Sequence, residues 1–417
     1  MVVIQVYITS AYRAYEIADH YRKKGSHVCL GGLHVTSLPD EAIGHADSIF
    51  LGPGEDTWPQ FLEDYRQKKP RPIYQSKTRT LDNLARIRRD LIKRDLYLTP
   101  NTIVVSRGCP HACDLCYKES FFKGGRSFYT QKIEDVLAEI DRLSGKHLFF
   151  LDDNFFADVR FANALFDGMA GMNRIWQAAG TVQAVLNKEL IGKAASCGLR
   201  SLFVGFETLN QDNLDTHNKS HNLNTSFATA ARTLHDLGVM INGSFIFGMD
   251  HDDASVFDRT VDWAINQSIE TATFHILTPY PGTRLYNLLR QENRILHSNW
   301  NLYDTRHAVY QPSGMTPAEL ERGYRKAYQT FYQWSSIIKA ALSHQGLKPF
   351  LRHTAYAGGW KKFEPLWSWI IRKKQIRKMI PLLETVLSAG RSAKMQTATR
   401  PAANLKAHPA DDAARRA

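Results

Sequence analysis

From residue 102 to about 285, short apolar runs alternate with stretches whose apolar residues recur every three or four positions. The runs are "TIVVS" (102–106), "LFFLD" (148–152), "IWQAAG" (175–180), "LFVGFE" (202–207), "SFIFG" (244–248) and "FHILT" (274–278). Each has the length and β-branched or aromatic content of a buried strand. Between the first two, "QKIEDVLAEIDRLSG" sets Ile133, Val136, Leu137, Ile140 and Leu143 on one stripe and stops at Gly145, which predicts a helix. Similar helical periods run over 158–172, 187–196, 223–237 and 254–267. Six strand–helix units predict an α/β fold with a partial (β/α)6 barrel. Right-handed crossovers then gather every strand-to-helix loop on one rim, where residues distant in sequence meet.

The pattern changes on both sides of this repeat. Residues 1–66 read as a smaller α/β unit: "VVIQVYI" (2–8), a helix stopped by Gly25, then "HVCLGG" (27–32) and "ADSIFLGPGE" (46–55). Residues 67–98, basic and carrying Pro70 and Pro72, suit a linker. The barrel is assigned 99–315 and a helical region 316–388. Residues 389–417, rich in Ala, Arg, Thr and Pro, predict a disordered tail.

At 417 residues, two domains with extensions are expected. The start has no basic end followed by a long apolar stretch, so it reads as strand and helix and not as a signal peptide. No run of about 18 apolar residues predicts a spanning helix, and a cytoplasmic location is expected. The net charge of +12 is concentrated in 86–94, 361–378 and the tail, without a nucleic-acid-binding motif, so no nucleic-acid partner is expected.

Three of five cysteines fall within eight positions, in "SRGCPHACDLCYKES" (106–120): Cys109, Cys113 and Cys116, spaced C-x3-C-x2-C. Too few cysteines are present for a disulfide framework, and Cys29 and Cys197 read as buried small hydrophobes. Clustered thiols point to a metal. Zinc would need a fourth closed ligand, for which His111 is the local candidate. A 4Fe–4S cluster on three cysteines instead leaves one iron open to an outside ligand. Unliganded thiols are the third reading. Later strand ends add polar groups: Asp152, Asp153 and Asn154 cap the next helix or hold an ammonium group, and both roles are compatible. Glu207 binds a polar ligand or pairs with a nearby arginine.

The motif and its place after the first barrel strand resemble the radical S-adenosylmethionine (SAM) superfamily. The resemblance implies that Cys109, Cys113 and Cys116 hold a 4Fe–4S cluster whose open iron chelates the amino and carboxylate groups of SAM. Electron transfer then cleaves SAM to methionine and a 5′-deoxyadenosyl radical, which takes hydrogen from an unactivated C–H. "FLDDNFF" (150–156) matches the stretch near the methionyl amino group, and Glu207 is placed at the ribose. Gly248 of "NGSFIFGMD" is placed at adenine, and "ILTPYPGT" (276–283) supplies a further rim turn. Leu115 stands where the family often has an aromatic residue that contacts adenine, and Tyr117 follows the third cysteine instead.

Residues 29–65 resemble the second half of the cobalamin-binding domain preceding the barrel in one subgroup, which includes hopanoid-type methylases and the anaerobic magnesium-protoporphyrin cyclase. Gly31 and Gly32 would approach the cofactor's nucleotide tail, with Thr9 and Ser10 on the preceding strand end. The domain reads as truncated, without the Asp-x-His-x-x-Gly motif; His34 lies at the wrong spacing and is given a surface or hinge hydrogen bond.

The resemblance implies methyl transfer from cobalamin to a small-molecule or lipid-like substrate. Oxidative cyclisation, or a non-catalytic metal- or corrinoid-binding protein, are the alternatives. An electron donor such as flavodoxin or ferredoxin is the implied partner. "GWKKFEPLWSWIIRKKQIRKMIPLLETVL" interleaves Trp360, Trp367, Trp369 and Ile371 with Lys373, Lys374, Arg377 and Lys378. Such a helix caps the barrel or lies peripherally on the inner membrane face.

Overall fold

The computed structural model describes residues 1–82, 84, 87–223, 225–362 and 379–389. Its first sheet has four parallel strands in sequence order: β1 (Val2–Gln5), β2 (Val28–Gly31), β3 (Ser48–Leu51) and β4 (Ile73–Gln75). Strand β4 lies within the stretch expected as linker; three residues between prolines and polar positions are too short to show a period. Two short strands follow, β5 (Thr102–Ile103) and β6 (Ser106–Gly108), and β6 pairs antiparallel with β7 (Phe128–Thr130). The remaining strands are β8 (His147–Phe150), β9 (Ile175–Thr181), β10 (Leu199–Glu207), β11 (Met240–Phe247) and β12 (Thr271–Ile276).

The larger sheet runs β5–β8–β9–β10–β11–β12, with every pair parallel, as the alternation predicts. Its helices occupy the expected periods: Ile133–Arg142, Val159–Met169, Lys188–Ser196, Phe227–Asp236 and Val256–Asn266. Val136 and Ile140 of the first are fully buried, joining a core that contains Phe150, Trp176, Phe206, Phe245, Phe247 and Phe274. Burying one such aromatic side chain contributes roughly 1.5–3 kcal/mol, so these residues fix the register of the sheet. "TIVVS" is not one strand: the chain leaves the sheet after Ile103 and re-forms as β6, so the cysteine motif becomes the loop of a hairpin.

Beyond the barrel, Thr316 and Glu319 form a reciprocal capping box that starts the helix Pro317–Phe331. Strand β12 ends the sheet, and this helix covers its free edge. The backbone of Ala272 donates to the Tyr332 hydroxyl (3.1 Å), and that of Phe274 donates to the Tyr328 hydroxyl (3.1 Å). Helices Trp334–Leu342, Leu347–Lys362 and Ile380–Ser388 follow. The tryptophan- and lysine-rich stretch 363–378 and residues 390–417 lie outside the described residues, so the basic-helix and tail expectations fall there. Among the described residues no helix is long and apolar enough to cross a membrane.

The two units share a core. Val6, Leu30, Val35 and Ile49 pack with Tyr286, Trp300, Tyr303 and Val309 from beyond β12. His34 is not at the surface. It is buried there, its Nε2 3.1 Å from Glu41 Oε1, and Glu41 Oε2 accepts from the Trp300 indole at 3.1 Å. Cys29 is fully buried as expected, whereas Cys197 is half-buried with its thiol donating to the Phe166 carbonyl.

Candidate active site

The hairpin holds the cysteine loop. Gly108 ends β6 at φ 74°, and a Cβ there would sit 2.0 Å from the Ser127 carbonyl oxygen, so only glycine allows the crossing. Cys109 N then donates to that oxygen at 3.0 Å. The loop is fixed from the far end of the barrel: Arg284 donates to the Ala112 carbonyl (2.6 Å) and to Glu119 (3.0 Å). Leu285 N donates to the Asp114 carbonyl, and His217, beyond β10, contacts the Asp114 carboxylate at 3.0 Å. Rim loops of β6, β10 and β12 therefore meet at the cysteines.

Asp152 does not face the site. Its buried carboxylate accepts from the backbone N–H of Val105 and Ser106 and from the Ser106 hydroxyl, bracing the break between β5 and β6. Burial pushes its pKa up to about 6 despite those donors. Asp153 accepts from Gly108 N (3.1 Å) and the Tyr117 hydroxyl (2.6 Å), which sets both ends of the loop. Neither caps the next helix; Asp158 does, accepting from Arg160 N and Phe161 N.

Asn154 is buried with its Nδ2 donating to Cys109 Sγ at 3.7 Å, while its Oδ1 has no partner. A buried unpaired acceptor beside a cysteine sulfur fits a donor brought by a ligand, such as an ammonium group. Glu207 adopts φ 66° at a β-bulge and pairs with Lys219 Nζ at 2.7 Å, so its partner is a lysine and not an arginine. Lys219, buried, also faces Cys113 and Cys116; against burial, the Glu207 carboxylate first of all keeps its pKa raised.

Burial pushes the Cys113 thiol up and Cys116 to about 11. Such thiols stay protonated at neutral pH unless a metal replaces the proton, and Lys118 and Lys219 offset the resulting negative charge. His111 is not presented as their companion: its ring stacks on His221 at 3.9 Å. Zinc on these thiols would need sulfurs about 3.8 Å apart, from bonds of about 2.3 Å. Among the described residues one triad of His, Cys, Asp or Glu donor atoms lies wholly within 4.8 Å, and the cysteines are not in it. The donor set therefore fits a 4Fe–4S cluster held at three corners, which spreads its ligands wider than one ion does.

Other expected residues have different tasks. Gly248 (φ 96°) sits where a Cβ would meet the Tyr310 hydroxyl at 2.6 Å, and that hydroxyl donates to the Gly248 carbonyl. Packing within the protein thus accounts for this glycine. Leu115 packs with Met249, Leu277, Leu285 and Tyr310. In the N-terminal unit, a Cβ at Gly32 (φ 107°) would lie 3.0 Å from the Val6 carbonyl oxygen, and one at Gly31 would reach Phe50 at 3.4 Å.

A cavity of ≈ 660 Å³ opens between that unit and the cysteine loop, lined by Thr9, His34, Tyr117, Tyr280, Tyr303 and Arg306 among others. Thr9 reaches it; Ser10, Gly31 and Gly32 do not line it. His34 Nδ1 is buried without a partner and belongs to this wall, so a polar group of a ligand fits there. Lys219 and His221 carry no spacing signal, because only the fold brings them to the loop. Tyr117, as the residue after the third cysteine, and Thr9, at the first strand end, are the cavity residues that the sequence assigns to a site.

A family model described as the radical SAM superfamily matches residues 103–264. The chain is 30% identical over 343 residues to the bacteriochlorophyllide d C-12(1)-methyltransferase of Chlorobaculum tepidum, covering 79% of this chain and 74% of that one. It is 27% identical over 361 residues to the bacteriochlorophyllide d C-8(2)-methyltransferase of the same organism, covering 82% and 80%. Among solved structures, the radical SAM methyltransferase TsrM of Kitasatospora setae, with cobalamin and a 4Fe–4S cluster bound, superposes with TM-score 0.58 at 16% identity, over 78% and 74% of the two chains. That likeness carries the fold; the sequence relatives carry the family. The chain belongs to the radical SAM superfamily, and is an enzyme whose cofactors are a 4Fe–4S cluster and SAM.

Proposed function

We propose that this enzyme methylates an unactivated carbon of an apolar, ring-bearing small molecule of the chlorophyllide type, with cobalamin seated against the N-terminal unit. When bound, the cluster supplies the electron that cleaves SAM to a hydrogen-abstracting radical, and cobalamin carries the methyl group. Cys109, Cys113 and Cys116 would hold the cluster, and Asn154 would take the SAM ammonium group. Lys219 balances charge at the thiolates and orients Glu207.

The observation that carries the reading is the ≈ 660 Å³ cavity. Tyr117 forms its wall, adjoins Cys116, and through its hydroxyl is tied to Asp153. Cavity and cysteine loop are therefore one site, walled by tyrosines that suit a flat apolar ring and keep water from a radical. Thr9 and His34 offer polar contacts from the cobalamin side. Against this, Gly31 and Gly32 are explained by internal packing, so the cofactor is assigned to the wall formed by Ile8, Thr9, Leu33 and His34 and not to those glycines.

A flavodoxin or ferredoxin would supply electrons in the cytoplasm. The basic aromatic stretch 361–378 would bring the enzyme to the inner membrane face, which co-sedimentation with anionic vesicles checks. The reading is tested by turnover of the reconstituted, cobalamin-supplemented enzyme with methyl-deuterated SAM and a bacteriochlorophyllide acceptor. Label in the product alongside 5′-deoxyadenosine supports it. An unlabelled product that has lost hydrogen assigns oxidative cyclisation instead.

A further inference from the structure

A second group of ligating side chains lies at the opposite end of the barrel from the cysteine loop. His235 closes the helix Phe227–Asp236 leading into β11, Glu270 immediately precedes β12, and His344 follows the helix Trp334–Leu342. His235 Nε2 is 3.4 Å from Glu270 Oε2, and His344 Nε2 is 4.0 Å from Glu270 Oε1. One donor atom from each residue lies within 4.8 Å of the other two. His353 Nδ1, from the helix Leu347–Lys362, stands 3.1 Å from His344 Nε2.

Glu270 is 1% exposed. Its Oε2 accepts from Ile241 N at 2.9 Å, but Oε1 is buried with no hydrogen-bond partner. A carboxylate in that condition is costly unless a positive charge meets it. Arg352 is buried nearby, but its guanidinium donates to the Gly238 carbonyl at 2.9 Å and leaves Oε1 unmatched. Two imidazoles and one carboxylate form the nitrogen–oxygen set that zinc-class ions take. Bonds of about 2.0–2.1 Å to such an ion put neighbouring ligand atoms about 3.3 Å apart. His235 and His344 stand 3.4 and 4.0 Å from the two Glu270 oxygens, and His344 and His353 stand 3.1 Å from each other, so rotation of these side chains closes the set on an ion.

We propose that His235, Glu270 and His344 bind a divalent zinc-class ion, with His353 as the fourth donor. The ion supplies the missing partner of Glu270 Oε1. It staples the C-terminal helices, which bring His344 and His353, to the barrel, which brings His235 and Glu270. His235 and His344 keep 16% and 10% of their side chains exposed, enough for an ion to enter from solvent. The site is independent of the methyl-transfer reading and remote from the cysteines.

The test uses the full chain with its iron–sulfur cluster already reconstituted, so that the cysteines are occupied. The protein is stripped with a chelator, equilibrated with zinc sulfate and desalted. Expected is retention of one zinc per chain, with an absorption-edge first shell of nitrogen and oxygen only at about 2.0–2.1 Å. Glu270→Gln and His344→Ala should each lose that zinc while iron content is unchanged, and His353→Ala should bind it about 10- to 100-fold more weakly. Wild-type protein that retains no zinc overturns the proposal even if the variants fail to fold. So does zinc that persists in both variants, or a sulfur shell at about 2.3 Å.

Discussion

Replacing Asn154 by Ala perturbs the site at one defined atom. Asn154 is 4% exposed, its amide donates to Cys109 Sγ at 3.7 Å, and its Oδ1 is the unpartnered acceptor assigned to the SAM ammonium. A hydrogen bond to a charged group is worth about 1.5–3 kcal/mol, which corresponds to about a 10- to 150-fold change in affinity. The side chain makes no other hydrogen bond among the described residues, so the cysteine loop, braced by Asp152, Asp153 and Arg284, should keep its shape. The assay is SAM titration of the reconstituted variant by calorimetry, with the perturbation of the reduced cluster's paramagnetic resonance spectrum as a second readout. Iron content should match wild type while SAM affinity falls by that factor. Asn154→Asp restores an acceptor but sets a second negative charge beside the cluster, so its iron content should fall. Full iron content with undiminished SAM affinity in Asn154→Ala would refute the assignment.

Three further outcomes are expected. Gly108→Ala places a Cβ on the Ser127 carbonyl oxygen at a φ of 74°, so cluster loading should be lost with a lowered melting temperature, measured by iron analysis and circular dichroism. Lys219→Met leaves the half-buried Glu207 without its 2.7 Å partner and should cost about 1–3 kcal/mol in urea denaturation, whereas Lys219→Met/Glu207→Leu recovers most of it. Burial lowers the His147 pKa to about 4, so below its ordinary value of 6.5 the unfolded chain takes a proton that the folded chain refuses. Stability is therefore fully present above pH 6.5 and lost as pH falls toward 4; between pH 7.5 and 6 the share of this residue is about 0.8 kcal/mol, which His147→Gln should remove from the pH dependence of the urea midpoint.

Much of the barrel was legible because a strand buried on both faces and a helix buried on one leave different periods. Thus Phe245 and Phe247 mark β11, and Val136 with Ile140 marks the helix before β8. The thiols were legible because their spacing is local. The hairpin was not, since "TIVVS" continues the apolar run across the point where the backbone turns away, and only the buried Asp152 carboxylate at Val105 and Ser106 accounts for the break. Residue type also misled. Gly248 and Gly32 read as places where a ligand approaches, but the crowding atoms are Tyr310 and the Val6 backbone. Lys219 and His221 sit in an unremarkable polar stretch; a β-bulge sets Glu207 against Lys219, and His221 meets the cysteine loop only through the ring of His111. His235, Glu270 and His344 are scattered over more than a hundred positions, so no spacing could bring them together.

The most direct measurement of the central claim is made on anaerobically reconstituted protein, reduced and supplied with SAM. The account requires about four irons per chain, an absorption shoulder near 400 nm, and formation of 5′-deoxyadenosine, all absent from Cys113→Ala. Protein that stays colourless and iron-free, or that holds iron yet leaves SAM intact, contradicts it.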